Sequence, residues 1–319
     1  MESNLSCDLC GNLDTELYLT KVSNENGQES FDLVRCRRCG LIYLDPRPTT
    51  DEIGRYYVAN SYYAYQRPDD KQARIVKRLK RLAYQAKCQH PDHSRSDRWP
   101  EQVARYVAGA ALGWRVRRRV PVQHQGRLLD VGCGNGEWLA WIRDNIGGCD
   151  VEGLEVNQEV AERVSSSLNL TVHVGPLDKT SLPTARYDAI TMWHSLEHTH
   201  SPSRVLKEAY RLLRPDGCLA LEVPNIASYE ARILGRRWYH LDVPRHLYHF
   251  TPTTLRKLLT TCGFRVLRLK PMRNHVAWNS AVRNEMSHLP GPICLVALAV
   301  AGTLGRLSTW AIRVYAIKS

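Results

Sequence analysis

Leu128-Leu129-Asp130-Val131-Gly132-Cys133-Gly134-Asn135-Gly136-Glu137 decides how this 319-residue chain is read. An apolar run ends in an acid and opens into a loop with glycines at 132, 134 and 136. Glycines spaced this way let backbone approach a ligand without Cβ interference, with the amides of a following helix turned toward it. A dinucleotide fingerprint would place its third glycine at position 137, where Glu137 stands. Asp130 argues the same way, since a carboxylate at the mouth repels a pyrophosphate and suits a ligand carrying an ammonium and a sulfonium. S-adenosylmethionine is such a ligand. The apolar run 151–154 then ends at Glu155, placed to accept hydrogen bonds from both ribose hydroxyls. The competing readings of the loop are a packing turn and a nicotinamide site.

Outward from this point, strand-like and helix-like stretches alternate, the mark of a parallel sheet covered on both faces. Strands are expected at 128–131, 151–155, 170–174, 188–193, 218–223, 264–269 and 309–317, with helices at 136–145 and 158–168. Ser201-Pro202 and Thr251-Pro252 each open a further helix with an N-cap hydroxyl and a proline at the first position. The expected fold class is α/β, a doubly wound, mostly parallel seven-stranded sheet with an N-terminal zinc ribbon and a helical lid.

The ribbon rests on Cys7-x-x-Cys10 and Cys36-x-x-Cys39. Each turn presents two thiolates to one tetrahedral zinc, and four protein ligands leave no position for catalysis. Such a metal is structural, holding together a segment too small to bury its own core. Cys88, His90 and His93 are too irregularly spaced for a second such site. Thr49-x-x-Glu52 is a capping-box pattern that predicts a helix running into Tyr56, Tyr57, Tyr62, Tyr63 and Tyr65. The tyrosines read either as a substrate-facing lid or as ordinary amphipathic packing. The expected organisation is a ribbon over 1–48, a basic helical segment over 49–120, a cofactor-binding domain over 121–270, and an apolar insertion with a last strand over 271–319.

The net charge is +12, and residues 67–119 carry fifteen Lys and Arg against five Asp and Glu. That excess draws anionic partners such as phosphorylated sugars, nucleic acid or an anionic lipid surface, or it is a solvated helix face. Aromatic residues in the register of a base-stacking platform are missing from it. Ten cysteines and an acidic, weakly apolar start suggest intracellular thiols, no signal peptide and a cytoplasmic location. The apolar run 293–304 is too short to cross roughly 30 Å of hydrocarbon as a helix. It reads as a buried helix or as a peripheral membrane contact.

These motifs together resemble class I S-adenosylmethionine-dependent methyltransferases, in the branch with an N-terminal zinc ribbon common in bacterial surface-polysaccharide and deoxysugar pathways. The resemblance rests on the cysteine pairs, on residues 128–136, and on Tyr187-Asp188-Ala189-Ile190-Thr191-Met192-Trp193-His194-Ser195-Leu196-Glu197-His198. It continues with Leu212-Leu213-Arg214-Pro215-Asp216-Gly217, Glu222-Val223-Pro224-Asn225, Trp238 and the stretch from Asp242 to Thr251. It implies that Asp130, Gly132, Gly134 and Gly136 hold the methionine portion of the cofactor and Glu155 its ribose. Residues 175–178, including Asp178, would flank adenine, and Trp193 and His194 would line the cofactor near sulfur.

Methyl transfer needs the acceptor atom about 3 Å from the methyl carbon, and a proton acceptor where a hydroxyl or carbon acid reacts. His246, His198 and His249 are the candidates, His246 first. Pro244-Arg245-His246 is similar to a block of sugar C-methyltransferases that carries a Glu-His pair. Arg245 replaces the acid, and an arginine there suits a substrate phosphate or carboxylate better than an imidazolium. His194-x-x-Glu197-His198 would put three metal ligands on one face if helical, although a hard ion would prefer two carboxylates. The alternative is that these groups only make hydrogen bonds that set the loop.

The expected function is methylation of a small anionic acceptor, a nucleotide- or lipid-linked sugar, with a histidine base. The alternatives are methylation of nucleic acid or protein, and a quinone- or lipid-type O-methyltransferase. Met192-Trp193-His194 stands where a nucleic-acid amino-methylase would carry Asn-Pro-Pro-Tyr, which argues against nucleic acid. A non-enzymatic scaffold is opposed by the intact glycine loop and Glu155. The acceptor, the atom methylated and the oligomeric state are not legible.

Overall fold

A computed structural model describes residues 1–57, 62–65, 126–146, 148–272 and 309–318. The first strands are β1 (Thr15–Ser23), β2 (Ser30–Cys36) and β3 (Ile42–Leu44). Then come β4 (Arg127–Val131), α1 (Glu137–Asn145), β5 (Asp150–Glu155), α2 (Gln158–Leu168), β6 (Thr171–Val174) and β7 (Tyr187–Trp193). The chain continues through α3 (Pro202–Leu212), β8 (Leu213–Pro224), α4 (Tyr229–Leu234), β9 (Tyr248–His249), α5 (Pro252–Thr261), β10 (Phe264–Met272) and β11 (Ala311–Lys318).

Seven strands form one mostly parallel sheet in the order β10-β11-β8-β7-β4-β5-β6. β4, β5 and β6 pair in parallel, and β11 runs antiparallel to both β8 and β10. This is the doubly wound seven-stranded sheet that the sequence predicts. The fifth strand is longer than expected: β8 starts at Leu213 and includes the Pro215-Asp216-Gly217 turn. The basic segment 67–119, Cys88, His90, His93 and the apolar run 293–304 lie outside the described residues. Among the described residues, no helix is long and apolar enough to cross a membrane.

The chain divides into two compact units. One comprises Ala59–Thr180 and Arg186–Ile190. Its core is the apolar face of β4 and β5 under α1 and α2: Leu128, Leu129, Leu154, Leu139, Ile142, Val160 and Val164 are all buried. Gly136 caps α1 with φ 72°, and a Cβ there would stand 2.4 Å from Val164 Cγ1. Only glycine fits both the left-handed backbone and the closeness of α2.

In the same unit, β5 carries a buried acid, Glu152. Its carboxylate accepts from Tyr187 Oη at 2.8 Å, lies 2.7 Å from His173 Nε2 and pairs with Arg186. Burial raises its pKa, but His173, Arg186 and Tyr187 together hold it below the ordinary 4.5. The stability it contributes is therefore complete above pH about 4.5 and is lost as pH falls through the lower folded value. Glu152→Gln should lower unfolding free energy by about 1–3 kcal/mol at pH 7. The difference from wild type should shrink toward pH 3 in denaturant titrations.

The other unit comprises Met1–Val58, Ser181–Ala185 and Thr191–Ser319. Its four-stranded sheet runs β1-β2-β3-β9, and β3 pairs antiparallel with β9 through Ile42↔His249 and Tyr43↔Tyr248. A dipeptide from late in the chain thus completes the cysteine-bearing sheet. Leu33, Leu41, Tyr43 and Leu44 are buried beneath it. The Ser201 side chain and Pro202 open α3 as expected, and Val205, Leu206, Ala209 and Leu212 form its buried face. Thr251 and Thr254 make reciprocal caps at the start of α5.

The helix expected after Thr49 is instead a single 3-10 turn, Ile53–Tyr56. Thr49 Oγ1 donates to Glu52 Oε2 at 3.0 Å, so it makes no side-chain cap to an α-helical first turn. Tyr63–Tyr65 is a second 3-10 turn, in which Tyr65 is buried, as is the neighbouring Tyr62.

Candidate functional site

In the unit built on β4 and β5, the glycine loop and Glu155 stand at the carboxyl ends of two adjacent parallel strands. Gly132 and Cys133 both donate to the Leu154 carbonyl, at 2.8 and 3.1 Å. Gly134 donates to Glu155 Oε2 at 3.0 Å, and Asn135 to the Ala64 carbonyl at 3.2 Å. Gly136 donates to Cys133, and Glu137 to Asn135 Oδ1. Each of these amides has a protein acceptor. A phosphate cradle needs such amides for its anion. What remains is a closely packed glycine backbone with the buried carboxylate of Asp130 beside it, a lining suited to a cation.

Glu155 is buried, and burial raises its pKa; backbone bonds from Asn157 and Gly134 and the Tyr65 hydroxyl oppose that shift. Tyr65 Oη donates to Oε1 at 3.3 Å. A hydroxyl of the protein itself thus donates where a ribose hydroxyl is expected to donate, and the carboxylate faces the loop through the Gly134 amide. Asp178 sits in a 3-10 turn, Leu177–Lys179, that follows β6 and the Gly175 backbone bond to the Glu155 carbonyl. Gly132, Gly134, Gly136, Asp130, Glu155 and Asp178 therefore belong to one unit.

Trp193 and His194 fall in the other unit. His194 adopts φ 53°, and its ring nitrogens lie 3.3 Å from Glu197 Oε1 and 3.4 Å from Glu222 Oε1. Burial opposes its charge, but the hydrogen bonds and charges of Glu197 and Glu222 outweigh it and raise its pKa to about 9. Arg313 pairs with Glu222, and Trp310 stacks on the His194 ring at 5.2 Å and on His240 at 4.5 Å. His194 is thus an imidazolium tying two acids together.

The three candidate bases lie together in this unit. The rings of His198 and His246 are 4.6 Å apart, and those of His246 and His249 6.3 Å. Burial, with His198 and His249 nearby, pushes His246 well below its usual range, and burial alone pushes His249 down to about 3. The His246 and His249 rings are neutral at physiological pH. His246 Nδ1 donates to the His240 carbonyl at 2.9 Å; His198 Nδ1 donates to the Arg245 carbonyl at 3.0 Å, with Tyr57 Oη 2.8 Å away.

Arg245, read from the sequence as suited to a substrate phosphate or carboxylate, is paired with two acids of the same unit. Its guanidinium bonds Asp242 Oδ1 at 2.9 Å and Glu25 Oε2 at 2.8 Å. The acid that the Arg245 position lacks is supplied by Asp242, whose Oδ2 stands 3.7 Å from His246 Nε2. Its place four residues before His246 was the signal available in the sequence. Tyr57 was legible only as one of the clustered tyrosines and Glu222 only as part of the Glu222–Asn225 block, while Arg313 carried no motif.

The four cysteines of the N-terminal pairs converge, with sulfur atoms within 4.8 Å of one another. Cys7 Sγ is 3.4 Å from Cys39 Sγ, and Cys10 Sγ is 3.6 Å from Cys36 Sγ; all four are free thiols. A tetrahedron with metal–sulfur legs of about 2.3 Å has edges of roughly 3.8 Å, so the cluster fits such an ion. Between the first two cysteines, Asp8 accepts from the Ser203 amide at 2.7 Å and from Ser201 Oγ at 2.6 Å. The thiol knuckle is thereby fastened to the first turn of α3.

Residues 63–269 match the family described as a methyltransferase domain, which is more than half of the chain. The chain belongs to that family and is an S-adenosylmethionine-dependent methyltransferase. A ubiquinone biosynthesis O-methyltransferase of Haemophilus ducreyi is 27% identical over 165 residues, covering 47% of this chain and 68% of that protein. A malonyl-(acyl-carrier protein) O-methyltransferase of Enterobacter lignolyticus is 27% identical over 133 residues, 41% of this chain and 51% of the other. A tRNA U34 carboxymethyltransferase of Methylococcus capsulatus is 33% identical over 150 residues, 45% and 46% of the two chains.

Calorimetric titration with S-adenosylmethionine should show Glu155→Ala weakening binding by about 10- to 100-fold, the loss of two hydrogen bonds to a charged acceptor. Tyr65→Phe should leave binding intact or tighten it severalfold, because it removes the hydroxyl that competes for Oε1.

Proposed function

We propose that this methyltransferase acts on an oxygen of a small hydroxyl-bearing acceptor. When bound, S-adenosylmethionine supplies a methyl group already activated by positive sulfur. Asp130 and the glycine loop would hold its methionine portion, Glu155 its ribose, and Asp178 the region of adenine. Acceptor chemistry falls to the histidine pocket. There the imidazoles of His198 and His246, beside the carboxylates of Glu197 and Asp242, can take up a hydroxyl and withdraw its proton. The observation that carries this reading is that His198 and His246 each spend Nδ1 on a backbone carbonyl, which leaves Nε2 for chemistry. Two of the relatives named above are O-methyltransferases, which supports oxygen as the acceptor atom.

A nucleotide- or lipid-linked sugar is the second reading, favoured by the excess positive charge of residues 67–119. It is weakened by Arg245, whose guanidinium is bonded to Asp242 and Glu25. In either case we assign the four-thiol cluster to a structural zinc ion, with no role in the chemistry.

Incubation with a methyl-labelled donor and a panel of catechol-type quinol precursors, nucleotide sugars and tRNA should put label on the first class. Label confined to tRNA or nucleotide sugars would overturn the reading. His246→Ala should keep cofactor affinity within about twofold and lose at least 100-fold in turnover, roughly the scale of a missing acid–base or activating group. For the ribbon, Cys36→Ser should release zinc on elemental analysis and lower the melting temperature.

A further inference from the structure

Glu197, His198 and His246 each offer a ligand atom, and these atoms lie within 4.8 Å of one another. Glu197 and His198 sit on the 3-10 turn Leu196–His198 after β7, and His246 on the loop before β9. Leu247 donates its amide to the Glu197 carbonyl at 2.9 Å, so the turn bearing two of the groups is bound to the loop bearing the third. Both imidazoles donate from Nδ1 to a backbone carbonyl, at 3.0 Å for His198 and 2.9 Å for His246. That fixes the tautomer and leaves a lone pair on each Nε2.

His198 Nε2 and Glu197 Oε2 are both buried, with no hydrogen-bond partner among the described residues. Glu197 as a whole is 0% exposed, and its other oxygen, Oε1, is taken by His194. The pocket therefore presents two acceptors without a donor, His198 Nε2 and Glu197 Oε2, beside the Nε2 of His246. A cation satisfies all three at once. Carbonyl-bound Nδ1–H groups behind the rings are also the arrangement that orients histidines ligating a metal.

We propose that Glu197, His198 and His246 form a binding site for a divalent first-row transition-metal ion, distinct from the four-thiol cluster. Two nitrogen donors and one oxygen donor suit zinc, cobalt, iron or manganese, whereas magnesium and calcium take oxygen ligands. His194, expected from its spacing to be one of the ligands, is replaced by His246. Asp242 Oδ2, 3.7 Å from His246 Nε2, adds negative charge beside the ion. Three protein ligands leave coordination positions open, as in catalytic metal sites, and an acceptor hydroxyl bound there would lose its proton more readily. That role rests on the O-methylation reading; the binding of the ion does not.

The test is titration of the full chain, its thiol cluster already loaded with zinc, with cobalt(II) alone, read by elemental analysis and visible absorption. Wild type should take up one further equivalent whose spectrum lacks thiolate charge transfer. Glu197→Gln and His246→Gln should each weaken that uptake at least about tenfold. Both variants should keep the zinc of the thiol cluster. Uptake of no second equivalent by wild type overturns the site, and so does undiminished uptake by folded variants. The wild-type titration decides even if a variant fails to fold. If the second ion binds but catechol-type acceptors take no label, the O-methylation reading falls alone and the metal site stands.

Discussion

A carboxylate with no exposure to water governs the histidine-bearing unit. Glu197 sits in the turn that ends β7, where the backbone carbonyl is bound to Leu247 and one side-chain oxygen to His194. Leaving a buried charge unpaired costs about 3–5 kcal/mol, so every group around Glu197 answers to that charge. His194 is held protonated and shared with Glu222, which is itself kept below the ordinary carboxylate range by His194 and Arg313 despite its burial. The same positive charge, after burial, depresses His240 to about 3. Charged and neutral histidines thus stand side by side in one unit: two acids outweigh burial at His194, while burial prevails at His240, His246 and His249.

The four-thiol cluster has a consequence beyond stabilising a small segment. β3 of the ribbon is paired to β9, Leu44 donates to the Leu247 carbonyl, and Arg47 bonds the Tyr248 hydroxyl. Those residues flank His246 and His249. Asp8 ties the first knuckle to α3, the helix that follows the Glu197 turn. The ribbon therefore clamps both loops that contribute to the histidine pocket. The packing of the four-thiol cluster, far away in sequence, thus bears on the geometry of the histidine pocket.

Local pattern carried much of this into the sequence. The alternation of strand-like runs and capped helices located all seven strands of the large sheet, most plainly β4 and β7, which are buried over most of their length. Ser201-Pro202 and Thr251-Pro252 marked helix starts for a reason that acts within one turn. The Thr49 helix did not form, because the same hydroxyl that could cap a helix found the Glu52 carboxylate as a partner. Tyr65 on Glu155 and Asp8 on α3 were hidden because each joins positions that only the tertiary fold brings together. His194 and His246 show the limit most clearly. Spacing put His194 with Glu197 and His198 as a ligand, while packing bonded it to two acids and brought in His246 from a separate loop.

The glycine loop raises the same distinction between pattern and partner. Its glycines alone suit a phosphate as well as a sulfonium, while Asp130 and Glu137 already favour the sulfonium. The fate of the amides separates them. With Gly132, Cys133, Gly134 and Asn135 all donating within the protein, the loop offers no array of N–H groups to an anion. It offers instead a closely packed backbone, with Ala64 against Gly134 and Val164 against Gly136, next to two buried carboxylates, Asp130 and Glu155. Desolvating an anion against that surface would be uncompensated, whereas a cation gains from both acids. The loop has already spent its donors largely on holding β4 and β5 together, so two acids rather than free amides set the local charge there.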